Sequence, residues 1–534
     1  MQNDFQTIPY ESDECLTKGV CSVSPALTSI QEIILLYTKE LSFYVLKLKD
    51  FGTTNDLIKE VVIYALFNIV TNAEYSQEQF QNLLVKMYDF IIQSKALYEK
   101  QCITNNVEIK TTKSYFKYSK TFDLTDAIRK GEKYFLKKST TFTLEQRSLY
   151  DILLFLVKSI VIKITELSRL GKDSDSAYYS ILETLDTVGA GEFSEEKFRD
   201  QIKKTIDSYY QIVIDVFHAQ NELYGPMSLN EVSFSQEAGK AILVSGSDFK
   251  KLENILEETK NTEISVYTHG LEMLMAHSFG KFKLYPNLKG HFGSSVESSI
   301  VDFASFPGAI LMSKCTLQRV EYLFRGRLFT LDPIPPMGIT KIKDDNYEPL
   351  IKAALDSKGF TAAQKKSPMN VGFDETQINK KVDEIVDKII NNKIRNLYFV
   401  GIVNYTETCT PYFERFFQLM PKDSFAFSFN FNVNRENVYH LNSFCDYTLL
   451  YKVLKRIRSK KPLDEINLSV FLTKCDKHTI ANLLYLKQIG VKHLYTCKCP
   501  VTLINPMLME TLQKSFEIKE FSNPQADINE TLRE

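Results

Sequence analysis

Two small groups of side chains in the sequence have the chemistry of metal ligands. His269 and His277 flank Glu272 on a predicted helix, and their spacing would place both imidazoles on one face. A Cys-x-Cys pair, Cys497 and Cys499, follows the last predicted strand, at the end of an α/β sheet where ligands usually bind. Imidazole, carboxylate and thiolate all bind zinc or iron. Both groups also have a structural interpretation, as hydrogen-bonded polar residues and as packed thiols.

Other common active-site patterns are absent from the sequence. The Gly-Ala-Gly stretch at residues 189–191 is not a phosphate-binding loop, because no Lys-Ser or Lys-Thr follows it. The sequence contains neither Gly-x-Ser-x-Gly nor His-Glu-x-x-His, so the hydrolytic mechanisms that use them are not predicted.

Composition predicts an ordinary globular protein of several domains. The chain has 534 residues, more than one hydrophobic core usually organises, and 44% of them are hydrophobic. Its 65 basic and 66 acidic residues nearly cancel, and basic residues cluster only in short runs such as 455–461, so nucleic acid is not an expected partner. The longest apolar stretches, such as residues 152–164, are shorter than the roughly 20 residues of a spanning helix. No membrane association is expected.

The cysteines and the N-terminal residues indicate the compartment. Nine cysteines, an odd number, are spread thinly along the chain. The acidic N-terminal residues lack the basic and then apolar order of a secretory signal. We expect a cytoplasmic protein with free or metal-bound thiols.

The hydrophobic pattern changes near Gly225. Apolar residues recur at helical spacing from Ser24 to about Leu223, which predicts a helical bundle over residues 1–225. Short apolar runs separated by amphipathic helices follow, as is typical of α/β domains, and a polar stretch with Pro368 and Gly372 divides them. The sequence therefore predicts two Rossmann-like domains, 226–372 and 373–534. The predicted strands are 241–244, 264–267, 309–312, 396–403, 424–429, 467–472 and 491–495, and the helices of the last domain are 375–391, 447–459 and 476–488.

Several short motifs follow one another along nearly the whole chain. They lie at residues 15–21, 244–248, 266–270, 306–312, 399–401, 421–423, 483–484 and 490–492. In order and spacing they resemble the motifs of the hybrid cluster proteins, also called the prismane or hydroxylamine reductase family. The resemblance implies the fold that this family shares with carbon monoxide dehydrogenase, a helical bundle followed by two Rossmann-like domains. The hydrophobic pattern predicts the same organisation independently.

The resemblance implies an N-terminal iron–sulfur cubane bound by four cysteines, because such clusters need thiolate ligands. In this chain only Cys15 and Cys21 match the motif, and no cysteine precedes Cys15. Two thiolates cannot by themselves hold a four-iron cluster, so we expect these two residues to be the remnant of a cofactor-binding motif that binds no cubane.

The resemblance also implies a second, hybrid iron–sulfur–oxygen cluster bound between the domains by a histidine, carboxylates and cysteines. The histidine position holds Ser247, which we expect to cap the helix starting at Asp248. Glu272 matches a glutamate ligand only if Leu271 is an insertion, and Cys315 matches a cysteine ligand only after a shift of one residue.

The remaining cluster positions lie in the last predicted domain. Val403 stands at the position of the persulfidated cysteine and Phe431 at that of another cysteine, and neither side chain binds iron. Cys445 matches its ligand position, and a late Glu-x-Lys pair is replaced by Asp476 and His478.

Five candidate ligands therefore survive: Glu272, Cys315, Cys445, Asp476 and His478. Together they have the N, O and S donors that a single zinc or iron ion needs. Four further cysteines are candidates to replace lost ligands: Cys409, Cys475, Cys497 and Cys499.

Three functions are open at this point. The favoured one is a catalytically degenerate hybrid cluster protein, without a cofactor, that acts as a scaffold or as a regulatory protein binding a protein partner. The alternative is an oxidoreductase that reduces hydroxylamine or nitric oxide at an iron–sulfur cluster and receives electrons from a redox donor. The second alternative is a mononuclear zinc or iron enzyme at the remnant site. In each case the site is expected in a crevice between the two α/β domains.

Overall fold

The computed structural model describes residues 25–70, 77–112, 123–190, 193–293, 299–312, 324–331, 339–401, 410–429, 433–443, 447–473, 477–497 and 506–532. The chain divides into two compact units. The first comprises residues 1–168, 173–212 and 500–512, and the second comprises 169–172, 213–499 and 513–534.

The described N-terminal residues are mainly helical, as their hydrophobic spacing predicts. In the first unit, α1 contacts α2, α3, α4 and α6. The close approach of α1 and α4 depends on Gly131, where a Cβ would lie 2.2 Å from the carbonyl oxygen of Ser29. Side-chain caps start two of the helices, Asp123 for α4 and Ser174 for α6. The helices are α1 Pro25–Asp50, α2 Asp56–Val70, α3 Gln77–Thr104, α4 Leu124–Thr141, α5 Leu144–Arg169, α6 Asp175–Gly189 and α7 Glu195–Tyr224.

The second unit contains a first parallel sheet of six strands, in the order β4-β3-β2-β5-β6-β7. Its strands β2 and β3 are buried on both faces: Ile242 and Val244 face one apolar cluster, and Leu243 and Tyr267 face another. This explains why the strands appear in the sequence as continuous apolar runs. The elements are β2 Ala241–Ser245, α8 Phe249–Thr259, β3 Ser265–His269, α9 Leu271–Leu274, β4 Leu288–His291, α10 Ser299–Ser305, β5 Ala309–Met312, β6 Leu328–Thr330, β7 Thr340–Lys341 and α11 Glu348–Asp356.

A second parallel sheet of six strands follows, in the order β11-β10-β9-β12-β13-β14. Its central strand β9 pairs with β10 and β12, and its core includes stacked aromatic rings. The elements are α12 Glu375–Ile390, β9 Asn396–Gly401, α13 Thr410–Leu419, β10 Ser424–Ser428, β11 Val438–His440, α14 Tyr447–Arg458, β12 Asn467–Leu472, α15 Lys477–Gln488, β13 His493–Thr496, α16 Pro506–Phe516, β14 Ile518–Glu520 and α17 Pro524–Thr531.

Two short strands pair in antiparallel fashion and form the β1–β8 ribbon. In the sequence, one of them comes before the strands of the first sheet and the other comes after them. Strand β1 (Asn230–Val232) precedes that sheet and β8 (Met369–Val371) follows it. Gly372, directly after β8, has φ of 88°, and its N–H donates to the carbonyl of Asn442, 2.9 Å away. A Cβ on Gly372 would lie 2.4 Å from the Ser228 carbonyl oxygen, so the position requires glycine.

The predicted fold class is confirmed. Helices are followed by two parallel sheets, and each predicted strand corresponds to an observed one within its described residues. Sequence analysis missed seven short strands, which have two to four residues each and carry little periodic signal: β1, β4, β6, β7, β8, β11 and β14. The division into three domains at residues 225 and 372 stays a prediction. Among the described helices, none is long and apolar enough to cross a membrane.

Candidate functional site

Ser247 lies in the turn between β2 and α8, where the resemblance implies a cluster-binding histidine. The turn follows Gly246, whose φ of 120° takes the chain out of the strand. The Ser247 Oγ is buried, and it has no hydrogen-bond partner within the described part of the chain. An unpartnered hydroxyl at this position is the one unexplained polar atom in the turn.

The predicted capping role of Ser247 is wrong, because Asp248 caps α8. The helix begins at Phe249, and the extended backbone of Asp248 directly before it lets the Oδ1 atom accept hydrogen bonds from the N–H groups of Lys250 and Lys251, at 3.1 and 3.3 Å. The other carboxylate oxygen lies 3.3 Å from an Arg169 guanidinium nitrogen. The buried carboxylate of Asp248 is thus compensated by donors and a cation.

His269 is the centre of a buried hydrogen-bonded array at the end of β3. Its Nδ1 lies 2.9 Å from the Oγ of Ser245, and its Nε2 lies 3.2 Å from Oδ2 of Asp302. Because a carboxylate only accepts, Nε2 carries a hydrogen, and in the neutral ring Nδ1 then accepts from the serine hydroxyl. Sequence analysis missed Ser245 and Asp302, because they are 24 and 33 residues away along the chain and belong to no recognised spacing.

The predicted single helix carrying His269, Glu272 and His277 is wrong. His269 ends a strand, Gly270 with φ of 86° turns the chain, and Glu272 lies half-buried in the four-residue helix α9. His277 belongs to a 3-10 turn, Met275–Ser278. The two histidines therefore lie on different elements, and the helical spacing that suggested a shared face does not apply.

His277 and His291 both contact the hydroxyl of Thr268, each through one ring nitrogen at 2.8 Å. Burial lowers the pKa of His277 to about 4. Burial, together with the neighbouring histidines, lowers the pKa of His291 well below its usual value. Both rings are therefore neutral at pH 7. As the structural interpretation expected, His269 and His277 are hydrogen-bonded polar residues beside the sheet.

At the carboxyl end of the second sheet, two candidate residues are described. Cys497 follows β13, and its Sγ donates to the carbonyl of Thr473, 3.1 Å away. His478 lies half-buried in the first turn of α15, where its carbonyl accepts from the Asn482 side chain at 2.5 Å. Across the residues that the structure describes, no group of three or more His, Cys, Asp or Glu side chains is arranged to hold a metal ion.

Most of the predicted ligand positions lie outside the described residues: Cys15, Cys21, Cys315, Val403, Cys409, Phe431, Cys445, Cys475, Asp476 and Cys499. The convergence of Glu272, Cys315, Cys445, Asp476 and His478 on one crevice therefore stays a prediction. Of this set, the structure places Glu272 beside the first sheet and His478 beside the second.

The sequence matches known proteins over almost its entire length. The profile of the Prismane/CO dehydrogenase family matches residues 11–428. The chain is 24% identical to the hydroxylamine reductase of Methanocella arvoryzae and 25% identical to that of Thermodesulfovibrio yellowstonii, covering 98% of both chains in each case. It is 26% identical to the hydroxylamine reductase of Zymomonas mobilis, covering 97% of this chain and 96% of that protein.

A solved structure shares the fold. The chain resembles an alpha subunit of acetyl-CoA synthase/carbon monoxide dehydrogenase described with NiZn[Fe4S4] and NiNi[Fe4S4] clusters, with a TM-score of 0.52. The match covers 96% of this chain and 83% of that one, at 10% sequence identity. The resemblance confirms the predicted relation to the carbon monoxide dehydrogenase-like fold.

Proposed function

We infer the function from the premise that this chain belongs to the Prismane/CO dehydrogenase family, and we propose that it is a catalytically degenerate member. In this proposal the chain keeps the scaffold of a hydroxylamine reductase and has lost the donors that hold its clusters. It acts as a structural or regulatory protein that binds a protein partner.

The observation that carries the proposal is the hydroxyl of Ser247, which stands where the resemblance implies a cluster-binding histidine. Cluster binding at this position requires an imidazole or another donor that can bind iron, and the chain offers a neutral hydroxyl. That hydroxyl is buried and has no partner among the residues that the structure describes, and the neighbouring Asp248 is engaged as the cap of α8 and with Arg169. The turn is thus organised around a helix cap and offers no metal ligand from its described side chains.

The wider donor set does not fit an iron–sulfur cluster either. Val403 and Phe431 have no donor atom, and they replace two of the sulfur ligands implied by the resemblance. The N-terminal motif has two thiols, Cys15 and Cys21, where a cubane needs four. At each cluster position, too few ligand residues remain to hold the cluster.

Retention of the scaffold supports a role that needs the folded surface. The chain aligns with the hydroxylamine reductases of two organisms over 98% of their lengths, although Ser247, Val403 and Phe431 stand at ligand positions implied by the resemblance. A chain that keeps the whole architecture without the donors fits a protein recognised by its shape, in other words one that binds a partner.

A cytoplasmic location is part of the proposal. Cys102 is a buried free thiol in the described part of the chain. Unpaired thiols persist most readily in a reducing compartment.

The decisive experiment is anaerobic purification followed by measurement of iron, zinc and acid-labile sulfide. We expect less than about 0.1 metal ion per chain, since stable binding needs three or four converging ligands. After reconstitution with iron and sulfide, hydroxylamine turnover with an artificial electron donor should remain absent. The hydroxylamine reductase of Zymomonas mobilis, prepared in parallel, provides the positive control.

Two results would contradict the proposal, and each would support one of the alternatives. Hydroxylamine turnover that Cys445→Ala abolishes would establish the oxidoreductase alternative. About one zinc or iron per chain without sulfide, lost in a Glu272→Gln or His478→Gln variant, would establish the mononuclear alternative.

A further inference from the structure

Two of the seven histidines meet on one buried hydroxyl in the first sheet. The Oγ1 of Thr268 lies 2.8 Å from Nε2 of His277, 2.8 Å from Nδ1 of His291, and 3.4 Å from the carbonyl oxygen of Gly290. Thr268 is fully buried, and the two histidines are 7% and 1% exposed. We call this arrangement the His277–Thr268–His291 network.

The hydrogen bonds of the network suit two neutral imidazole rings. The threonine hydroxyl has one hydrogen, so when it donates to one ring the other ring must donate to it. A protonated His291 would carry N–H groups on both ring nitrogens, yet its Nε2 is buried and has no partner among the described residues. If both rings were protonated, the hydroxyl would have to accept twice and turn its hydrogen to the distant Gly290 carbonyl. Protonation of His291 therefore leaves its buried Nε2–H without an acceptor among the described residues.

No charged neighbour in the described region compensates such a protonation. The charged groups on the elements packed around the network are Glu231 on β1, Glu272 on α9, Lys281 and Lys283 on the 3-10 segment Gly280–Leu284, Lys289 on β4 and Asp302 on α10. Lys281 pairs with Glu253, and Lys283 donates to the Ser228 Oγ. Asp302 bonds His269, and Lys289 pairs with Glu237 at 3.2 Å. The low pKa of His277 comes from burial, and that of His291 from burial and the other two histidines. The network thus has no nearby carboxylate that raises either pKa.

The network lies beneath the attachment of the β1–β8 ribbon. The 3-10 turn that carries His277 accepts two hydrogen bonds from the chain around β1: Ser228 N–H to the Ser278 carbonyl and Asn230 Nδ2 to the His277 carbonyl, each 2.9 Å. The N–H of His291 donates to the carbonyl of Ser233, directly after β1, at 2.8 Å. Both histidines therefore fix the segment that holds the ribbon.

We propose that the His277–Thr268–His291 network is an acid-sensitive latch, which holds the β1–β8 ribbon on the first sheet and releases it when the rings become protonated. The ribbon contains the points where the chain enters and leaves the first sheet. Its last strand leads to Gly372, which bonds the Asn442 carbonyl beyond β11, so release also loosens a connection to the second sheet.

The physical basis is linkage between protonation and opening. In the open state the rings meet water and take up protons near pH ~6.5, whereas in the closed state they do not. Each pH unit below that value therefore favours opening by up to about tenfold per ring. The effect is absent above pH ~7, where the rings are neutral in both states.

The test is amide hydrogen exchange of the full chain at pH 7 and pH 5, corrected for the intrinsic pH dependence of exchange. Peptides covering 228–232 and 369–372 should open about thirtyfold more at pH 5 for one titrating ring, and more for two. A peptide from β12, Asn467–Leu472, is the internal reference and should show no such increase. Equal pH responses in the ribbon and β12 would overturn the proposal, and this comparison needs no variant.

Variants identify the responsible rings. A double variant, His277→Gln with His291→Asn, keeps polar groups near Thr268 but cannot be protonated in this range, so the pH response of the ribbon should disappear. His218→Gln, on the exposed side of α7, is the matched control and should leave the response unchanged. A double variant that folds and still opens at pH 5 like the parent would overturn the proposal.

Discussion

The two parallel sheets bury different chemistry among their strands. In the first sheet, imidazoles and hydroxyls form the His277–Thr268–His291 network. In the second sheet, Phe471 on β12 stacks on Tyr495 on β13 with centroids 4.5 Å apart and an interplanar angle of 3°. Both sheets have buried, parallel central strands, so topology does not explain the difference.

The comparison teaches that one topology can be stabilised in two ways that respond differently to pH. The hydroxyl of Tyr495 donates to Glu530, and burial raises its pKa. A phenol is neutral below its ordinary pKa of about 10, so this ring takes up no proton in acid. His277 and His291 of the first sheet have lowered pKa values and become the preferred proton acceptors once the structure opens. We therefore expect the first sheet to lose stability in acid through His277 and His291, whereas the Phe471–Tyr495 stack of the second sheet contains no group that takes up a proton in this range.

The largest expected effect concerns packing in the second sheet. Phe471→Ala should lower the free energy of unfolding by about 3–5 kcal/mol, because it removes a fully buried ring and leaves a cavity beside Tyr495. Urea unfolding at pH 7 measures the loss. The exposed Leu284→Ala is the control and should change stability by less than ~0.5 kcal/mol. A loss below about 1 kcal/mol for Phe471→Ala would mean that this sheet does not depend on the stack.

The next effect is the pH dependence of stability through His277. Its pKa is about 4 in the folded chain against an ordinary value of 6.5, so the unfolded chain binds more protons between these values. The stability that neutral His277 contributes to the folded state is fully present above pH 6.5 and is lost as the pH falls toward 4. Between pH 7 and pH 5 we expect a loss of roughly 2 kcal/mol. Urea unfolding of the parent and of His277→Gln measures it, and an equal loss in both would assign the acid sensitivity elsewhere.

A smaller effect on the free energy of unfolding distinguishes the N-cap of α8, beside the first sheet, from the N-cap of α12, beside the second. Asp248→Ala should cost about 1–2 kcal/mol, because it removes the cap of α8 and a carboxylate that pairs with Arg169. Asp374 caps α12 of the second sheet through Thr376 and Gln377 but is exposed. Asp374→Ala, the matched control, should therefore cost less, roughly 0.5–1 kcal/mol. The order of the two unfolding free energies tests the assignment, and the reverse order would contradict it.

The smallest effect concerns Ser247. Because its hydroxyl has no partner in the described structure, Ser247→Ala should change the free energy of unfolding by less than ~0.5 kcal/mol. Ser245→Ala, two residues earlier, should cost about 1–2 kcal/mol, since it removes the hydroxyl that bonds His269. A large loss for Ser247→Ala would show that this hydroxyl has a role that the described contacts do not reveal.

Much of the fold is visible in the sequence. Buried parallel strands must be apolar on both faces, so residues 241–244 of β2 and all of β5 appear as uninterrupted apolar runs. Strand β12, which also contains Asn467 and Ser469, coincides with its predicted bounds. The loss of ligand types is also a property of the sequence, because Val403 and Phe431 lack donor atoms in any conformation. The N-cap of α8 was misplaced by one residue, since the choice between Ser247 and Asp248 depends on backbone angles.

Only the tertiary structure decides which polar residues meet. Thr268 reaches His277 across 9 residues and His291 across 23, because the parallel pairing of β3 with β4 and the turn after α9 bring them together. His269 was assigned to a helix because its spacing to His277 suggested one, whereas its partners Ser245 and Asp302 come from β2 and α10. Spacing along the chain records periodicity within one element, and it carries no information about contacts between strands that are joined by crossovers.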